Sequence, residues 1–199
     1  MKHQMDYNSA KSYIIERLEK ELPKSLYYHS VQHTLDVAKA TELYAKLENV
    51  NNEETILLIT ASLFHDSGFL IRYASHEEFS IQIVTDVLPI YNYSSKQIEI
   101  ISKIIYATKS TQIPENILEK ILCDSDLDYL GCDDFFMKGI RLKREKNEHG
   151  FPTTLKDWYI QEYKFLLKHG YYTKSAIELR QKKKMMHLAQ IKELLKGKV

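Results

Sequence analysis

Apolar residues recur every three to four positions through almost the whole chain, and sustained alternation of the strand kind is absent. Each segment therefore has one helical stripe to bury, and the chain is predicted to be all-α, a compact bundle of helices joined by short loops. The punctuation agrees with the periodicity. Leu22-Pro23 stops a first helix, Asn51-Asn52-Glu53-Glu54 opens another with a cap and an acidic first turn, and Gly68 lies just past its end. Ser75-His76-Glu77-Glu78 and Ser94-Ser95-Lys96-Gln97 both have the capping-box form, serine accepting from the third helical amide while the acid or amide reaches back. Pro114, Asp133-Asp134, Thr154 and Thr173 mark further starts, and Gly131, Gly150 and His169-Gly170 further stops. About eight or nine helices result, in keeping with usual helix lengths of about 11–12 residues.

No repeat, low-complexity stretch or Gly/Pro/Ser linker divides the 199 residues, and 44% apolar content is enough for one core. One domain over 1–199 is expected, with the motif-bearing part at about 26–131 and the C-terminal helices packed on it. Lys plus Arg number 28 against 27 Asp plus Glu, so no long-range field draws the chain to nucleic acid or anionic membrane. A small-molecule partner is the better expectation. The one basic run, Arg180 to Lys184, reads as a solvated face. Cys123 and Cys132 are too few for a disulfide framework or a cysteine zinc site. Residues 1–13 contain no apolar stretch of the signal-peptide kind, and no run reaches the roughly 18 apolar residues of a membrane span. The cytoplasm is the expected compartment, and monomer and homodimer both stay open.

Metal-ligand residue types stand where helix faces should be apolar, and this is the main functional signal. His33 continues the stripe of Val37, Ala40 and Tyr44, and His29 precedes it by one turn, at the spacing that brings two side chains together. Either histidine alone reads as a core or surface residue; the pair reads as a metal ligand and a substrate contact. His65 lies on the stripe of Leu58, Ala61 and Ser62, with Asp66 directly after it. Adjacent helical residues point about 100° apart, so these two converge on one ion only in a cleft against the helix end. A carboxylate in so apolar a segment is costly unless paired or metal-bound, and imidazole with carboxylate suits Zn, Mn, Fe, Co or Ni. Farther on, Asp126 shares a face with Leu122 and Leu130 while Asp124 and Asp128 fall on the opposite one. Asp128 reads as a solvated residue at a helix start, and Asp124 as a partner supporting a ligand.

The order His, His-Asp, Asp on helices resembles the HD superfamily of metal-dependent phosphohydrolases, over roughly Leu26 to Gly131. The resemblance implies that His33, His65, Asp66 and Asp126 hold a divalent ion (Mn, Fe, Co, Ni, Zn or Mg). Tyr28-His29-Ser30-Val31-Gln32-His33 is also similar to the YHNxxH signature of cyclic-nucleotide phosphodiesterases, with serine in place of asparagine. That likeness makes His29 a general acid for the leaving oxygen, and Asp66 the residue that orients the attacking water. No adjacent His-His pair and no Gly-Tyr-Pro follows His76, which disfavours the HD-GYP branch and its cyclic di-GMP cleavage. The extra histidines of the di-iron oxygenases on this scaffold have no counterpart.

Phosphate also requires cationic or amide donors. Arg72, in the loop before Ser75, and Lys109 are the candidates, with His76 and Glu77 at a helix start as substrate contacts or part of a second metal site bridged by Asp66. Tyr91, Tyr93, Tyr171 and Tyr172 are of a kind that stacks on nucleobases, and none is assigned. The expected function is hydrolysis of a nucleotide or other small phosphate mono- or diester. The alternatives are a catalytically silent HD domain that binds a metal or nucleotide as a regulatory module, and an iron-dependent oxygenase.

Overall fold

The computed structural model describes residues 5–197, and among them every regular element is helical. Nine α-helices follow one another: α1 (Tyr7–Glu21), α2 (Val31–Leu47), α3 (Asn52–Phe64), α4 (His76–Val87), α5 (Ser95–Tyr106), α6 (Ile117–Asp126), α7 (Phe135–Glu148), α8 (Leu155–Lys168) and α9 (Lys174–Lys196). Short 3₁₀ turns at Ser67–Leu70, Leu88–Tyr91 and Asp128–Gly131 link some of them. Among the described residues no helix is long and apolar enough to cross a membrane.

Most starts are capped as their residue types dictate. The side chains of Ser30, Asn51, Ser94, Asn116, Thr154 and Thr173 each accept from an amide of the first turn, and Ser94 with Gln97 completes a capping box. Ser75 does not. Its backbone is left-handed (φ 58°), and its side chain makes no capping bond to α4. The cause is tertiary: Gly68 lies against the first turn of α4, where an added Cβ would come within 1.9 Å of the His76 carbonyl oxygen. Docking at that distance, not the local capping preference, sets the entry angle of α4.

One hydrophobic cluster runs from Ala10 in α1 to Ile191 in α9. α2 packs against α3 and α6, α3 also against α1 and α5, and α9 against α8 and the Asp128–Gly131 turn. These packings bring the inward stripes of α2, α3 and α6, and with them their polar interruptions, to one place. Gly131 allows the α9 contact, since a Cβ there would meet the Arg180 backbone.

Two expectations about charged residues are corrected here. Asp128 is not a solvated helix-start residue: it accepts from Arg180 at 2.7 Å and from the Tyr44 hydroxyl, tying α9 to α2. The basic run is likewise not a solvated face throughout. Arg180 belongs to that tie, and Lys184 is buried, donating to the His169 carbonyl at 2.5 Å and so capping the end of α8. The long alkyl stems allow such burial with the charged head still bonded.

Glu162 of α8 is also buried, with Oε2 lacking any hydrogen-bond partner. Burial pushes its carboxyl up to about 7, against a smaller opposing pull from Lys146. A carboxyl raised on folding binds its proton more tightly in the native state. Its contribution to stability is therefore present at low pH and lost as pH rises through about 4.5 to 7, on the order of 3 kcal/mol in all. Glu162→Gln, which mimics the protonated form, is expected to raise the thermal midpoint by several degrees at pH 8 and by little at pH 5. Equal shifts at both pH values in calorimetry would contradict a titrating Glu162.

Candidate metal centre

α3 ends at the residue where the chemistry begins. His65 is its C-cap, and Asp66 leaves the helix with φ −103° and ψ 5° to enter the 3₁₀ turn. The change of direction turns two adjacent side chains, divergent on a continuous helix, toward one point. His33 reaches that point from the first turn of α2, which Ser30 caps. Asp126 reaches it from the last residue of α6.

The donor atoms lie as close as ligands of one ion. His33 Nε2 is 3.3 Å from Asp66 Oδ2 and 3.1 Å from Asp126 Oδ1; His65 Nε2 is 3.3 Å and 3.5 Å from the same two oxygens. Ligands held at bond lengths of about 2.0–2.2 Å are separated from each other by roughly 3.0–3.5 Å. His33 Nε2, His65 Nε2 and Asp66 Oδ2 are buried, and none makes a hydrogen bond of proper geometry despite this proximity. Three orphaned ligand atoms aimed at a common centre are what a metal site leaves when its ion is not counted. The buried triad His33, His65 and Asp66 is by itself a group able to hold a metal ion. His65 Nδ1 donates to the Ser62 carbonyl at 2.7 Å, which fixes the tautomer and leaves the Nε2 lone pair facing the centre.

Charge reinforces this geometry. Burial pulls the His33 and His65 imidazoles down, but Asp126 and Asp66 outweigh it and hold both above the usual histidine value, His65 well above. Burial likewise pushes Asp66 and Asp126 up, and the histidines reverse it, holding both below the carboxylate range. Imidazoles and carboxylates thus favour each other's charged forms across the centre.

Asp66 extends the centre with its other oxygen. His76 Nε2, on the first residue of α4, is 3.3 Å from Asp66 Oδ1, and Glu77 Oε2 is 3.6 Å from His76 Nδ1. Asp66 thus links the His33–His65–Asp126 group to His76.

His29 lies beside the cluster, its ring centroid 5.6 Å from His33 and 6.1 Å from His76. Its Nδ1 is bonded to Glu145 of α7, which is fully buried and also accepts from the backbone amides of Tyr28 (2.9 Å) and His29 (3.1 Å) and the Tyr73 hydroxyl (3.3 Å). Burial pushes Glu145 up, but His29 and these amides prevail and hold it below its usual value. With Nδ1 engaged by a carboxylate, Nε2 is the atom His29 has for a reacting partner.

Other candidates lie elsewhere. Arg72 is exposed, its side chain without a hydrogen-bond or ion-pair partner among the described residues. Lys109 pairs with Glu78 of α4. Asp124 supports no metal-ligand candidate; it faces the α8–α9 loop and accepts from the Tyr172 and Thr173 amides and the Thr173 hydroxyl. Tyr93 and Tyr171 are buried, and the aromatic residues at the centre are instead Tyr28, Phe69 and Tyr73. Glu145 escaped the sequence reading, although Phe135, Gly139, Leu142 and Glu145 share a helical stripe whose first two members are buried. A carboxylate that continues such a stripe is the same signal that marked Asp66.

No known protein-family profile matches the chain, and no solved structure matches it. A protein of Clostridium beijerinckii, described as uncharacterized, is 33% identical over 95 residues, 46% of this chain and 60% of that protein.

Two expectations follow from the geometry. Filling the site near pH 6.5 requires deprotonation of raised imidazoles, so adding Mn or Zn to the metal-free protein should release protons and bind more tightly as pH rises. Calorimetric heats that are independent of buffer ionisation enthalpy would contradict this. Gly68→Ala forces α4 away and His76 with it. It should lower stability by about 1–3 kcal/mol and metal affinity by about tenfold or more, both measurable by titration with thermal melts.

Proposed function

We propose that the chain is a metal-dependent phosphohydrolase of the HD type, cleaving a nucleotide or another small phosphate ester. The observation that carries this reading is the convergence of His33, His65, Asp66 and Asp126, with three of their buried ligand atoms unpaired. A divalent ion bound by these residues supplies Lewis acidity toward a phosphoryl oxygen and makes a neighbouring water easier to deprotonate. Asp66 orients the attacking water. As the bond from phosphorus to the leaving oxygen breaks, His29 Nε2 gives that oxygen its proton. Glu145 holds the His29 ring through Nδ1 and so orients Nε2 for the transfer.

The His29–Glu145 pair favours this reading over a silent binding module. Hydrolysis uses an oriented imidazole beside the ligands but not among them, whereas metal binding alone does not require one.

Metal analysis of the purified protein, paired with turnover of aryl phosphate mono- and diesters in Mn, Co, Ni or Mg, tests the reading. Bound metal and metal-dependent turnover, both lost in Asp126→Ala, are the expected result; a protein inactive under every loading condition would refute it. His29→Ala should keep its metal and lose about 10²- to 10⁴-fold in kcat. Glu145→Gln should lower kcat and shift the acidic-group limb of the pH–rate profile, which a residue with a purely structural role would leave in place.

A further inference from the structure

We infer that the cleft between Tyr73, in the loop before α4, and the α7–α8 loop is the leaving-group subsite of this centre, and that it takes a nucleoside. The inference rests on the hydrolase reading for its orientation. The group that departs must do so on the side of the acid, because its oxygen receives the proton there. His29 marks that side, and aromatic packing through the buried Phe69 connects it to Tyr73. Phe69 packs on His29 (4.5 Å between ring centroids) and stacks on His76 (4.0 Å), and Tyr73 lies 5.3 Å from Phe69. The Tyr73 hydroxyl bonds to Glu145, the carboxylate that holds His29.

Tyr73 is also one wall of a cavity of about 480 Å³, completed by Lys146, Phe151, Pro152, Thr153, Trp158 and Gln161. That volume falls within the usual range for small-molecule sites, about 300–1,000 Å³. Three aromatic residues supply apolar walls, while Gln161, Thr153 and Lys146 offer an amide, a hydroxyl and a cation. Planar faces together with groups that pair with ring-edge donors and acceptors describe a nucleobase site better than one for a lipid chain or a bare sugar. The rim is held in shape: the Phe151 amide donates to the Lys146 carbonyl at 2.9 Å, and the Thr153 amide to the Asn147 side chain at 2.9 Å. Phe151 is 61% exposed, an aromatic ring that the fold leaves uncovered at the mouth.

Trp158 is the only tryptophan in the chain, so its fluorescence reports on this cleft alone. The test is titration of the full-length, metal-loaded protein with adenosine, guanosine, cytidine and uridine, excited on the long-wavelength side of nucleoside absorption, with ribose and inorganic phosphate in parallel. Saturable quenching by at least one nucleoside and none by ribose is expected, with Phe151→Ala weakening the binding at least about fivefold. No response to any nucleoside, or equal binding by Phe151→Ala with its metal content intact, overturns the subsite. The measurement needs no turnover, so the two readings fail separately. Phosphate-ester hydrolysis without nucleoside binding retains the hydrolase and removes the subsite; nucleoside binding without hydrolysis retains a nucleoside site and removes the hydrolase, and with it the leaving-group role.

Discussion

Asp66 is a buried carboxylate with an imidazole 3.3 Å away on three sides, His33, His65 and His76, and the rest of the centre depends on how that charge is met. An isolated ionised carboxylate in a protein interior costs several kcal/mol, and removing one partner from such a cluster costs more than the pair contributes when intact. The fold meets the charge by bringing α2, α3 and α4 to the same point. Two local devices make this geometrically feasible: α3 stops at His65, and Gly68 lets the first turn of α4 approach to van der Waals contact or closer than any side chain would allow. His33, His65 and Asp66 are already gathered closely enough that one ion could be held between them. Preorganisation of this kind is what separates a site from a coincidence of polar residues.

The C-terminal third has more than a packing role. Glu145 crosses from α7 to the amides of Tyr28 and His29, fixing the chain just before α2 as well as the ring of His29. α9 secures the opposite side through Arg180, Asp128 and Tyr44, while Asp124 anchors the α8–α9 loop. Three acidic residues within α6 and its following turn thus do different work. Asp126 faces the centre, and its two neighbours hold later parts of the chain around it.

The parts that were legible in the sequence are those set by short-range pattern. Helix class, most caps, and the four residues His33, His65, Asp66 and Asp126 all show as periodicity or as its interruption within a few positions. Burial of a polar group on an apolar stripe is a local signal even when its partners are distant. Glu145 was hidden because it sits in the polar stretch Lys143 to Glu148, charged at every position but Asn147, which reads as a solvated face, while its partners lie 116 and 117 positions away. The failure at Ser75 has the same origin, since its backbone conformation answers to Gly68 and not to the capping preference of Ser-His-Glu-Glu. Asp124 and Lys184 were misread because helical periodicity tells which face is apolar, and is silent on whether a loop or helix end covers the other.

The two ends of the centre differ, and in the proposed hydrolase that difference would give the reaction a direction. Toward the interior, Tyr28 lies against His33 with ring centroids 4.7 Å apart, and Tyr129 lies behind Tyr28, so the floor is aromatic and closed. Toward the surface, His29 is partly exposed and borders Phe69, His76 and Tyr73, on a side built largely from one turn and one loop. For the proposed hydrolase, a phosphate ester would approach the buried ligands from that outer side, with its organic part trailing behind it. His29 would then stand between the charge that holds the phosphoryl group and the aromatic residues beyond it. Rigid helices would carry the first task and loop-borne residues the last, which would encode ligand chemistry and substrate preference in separable parts of the chain.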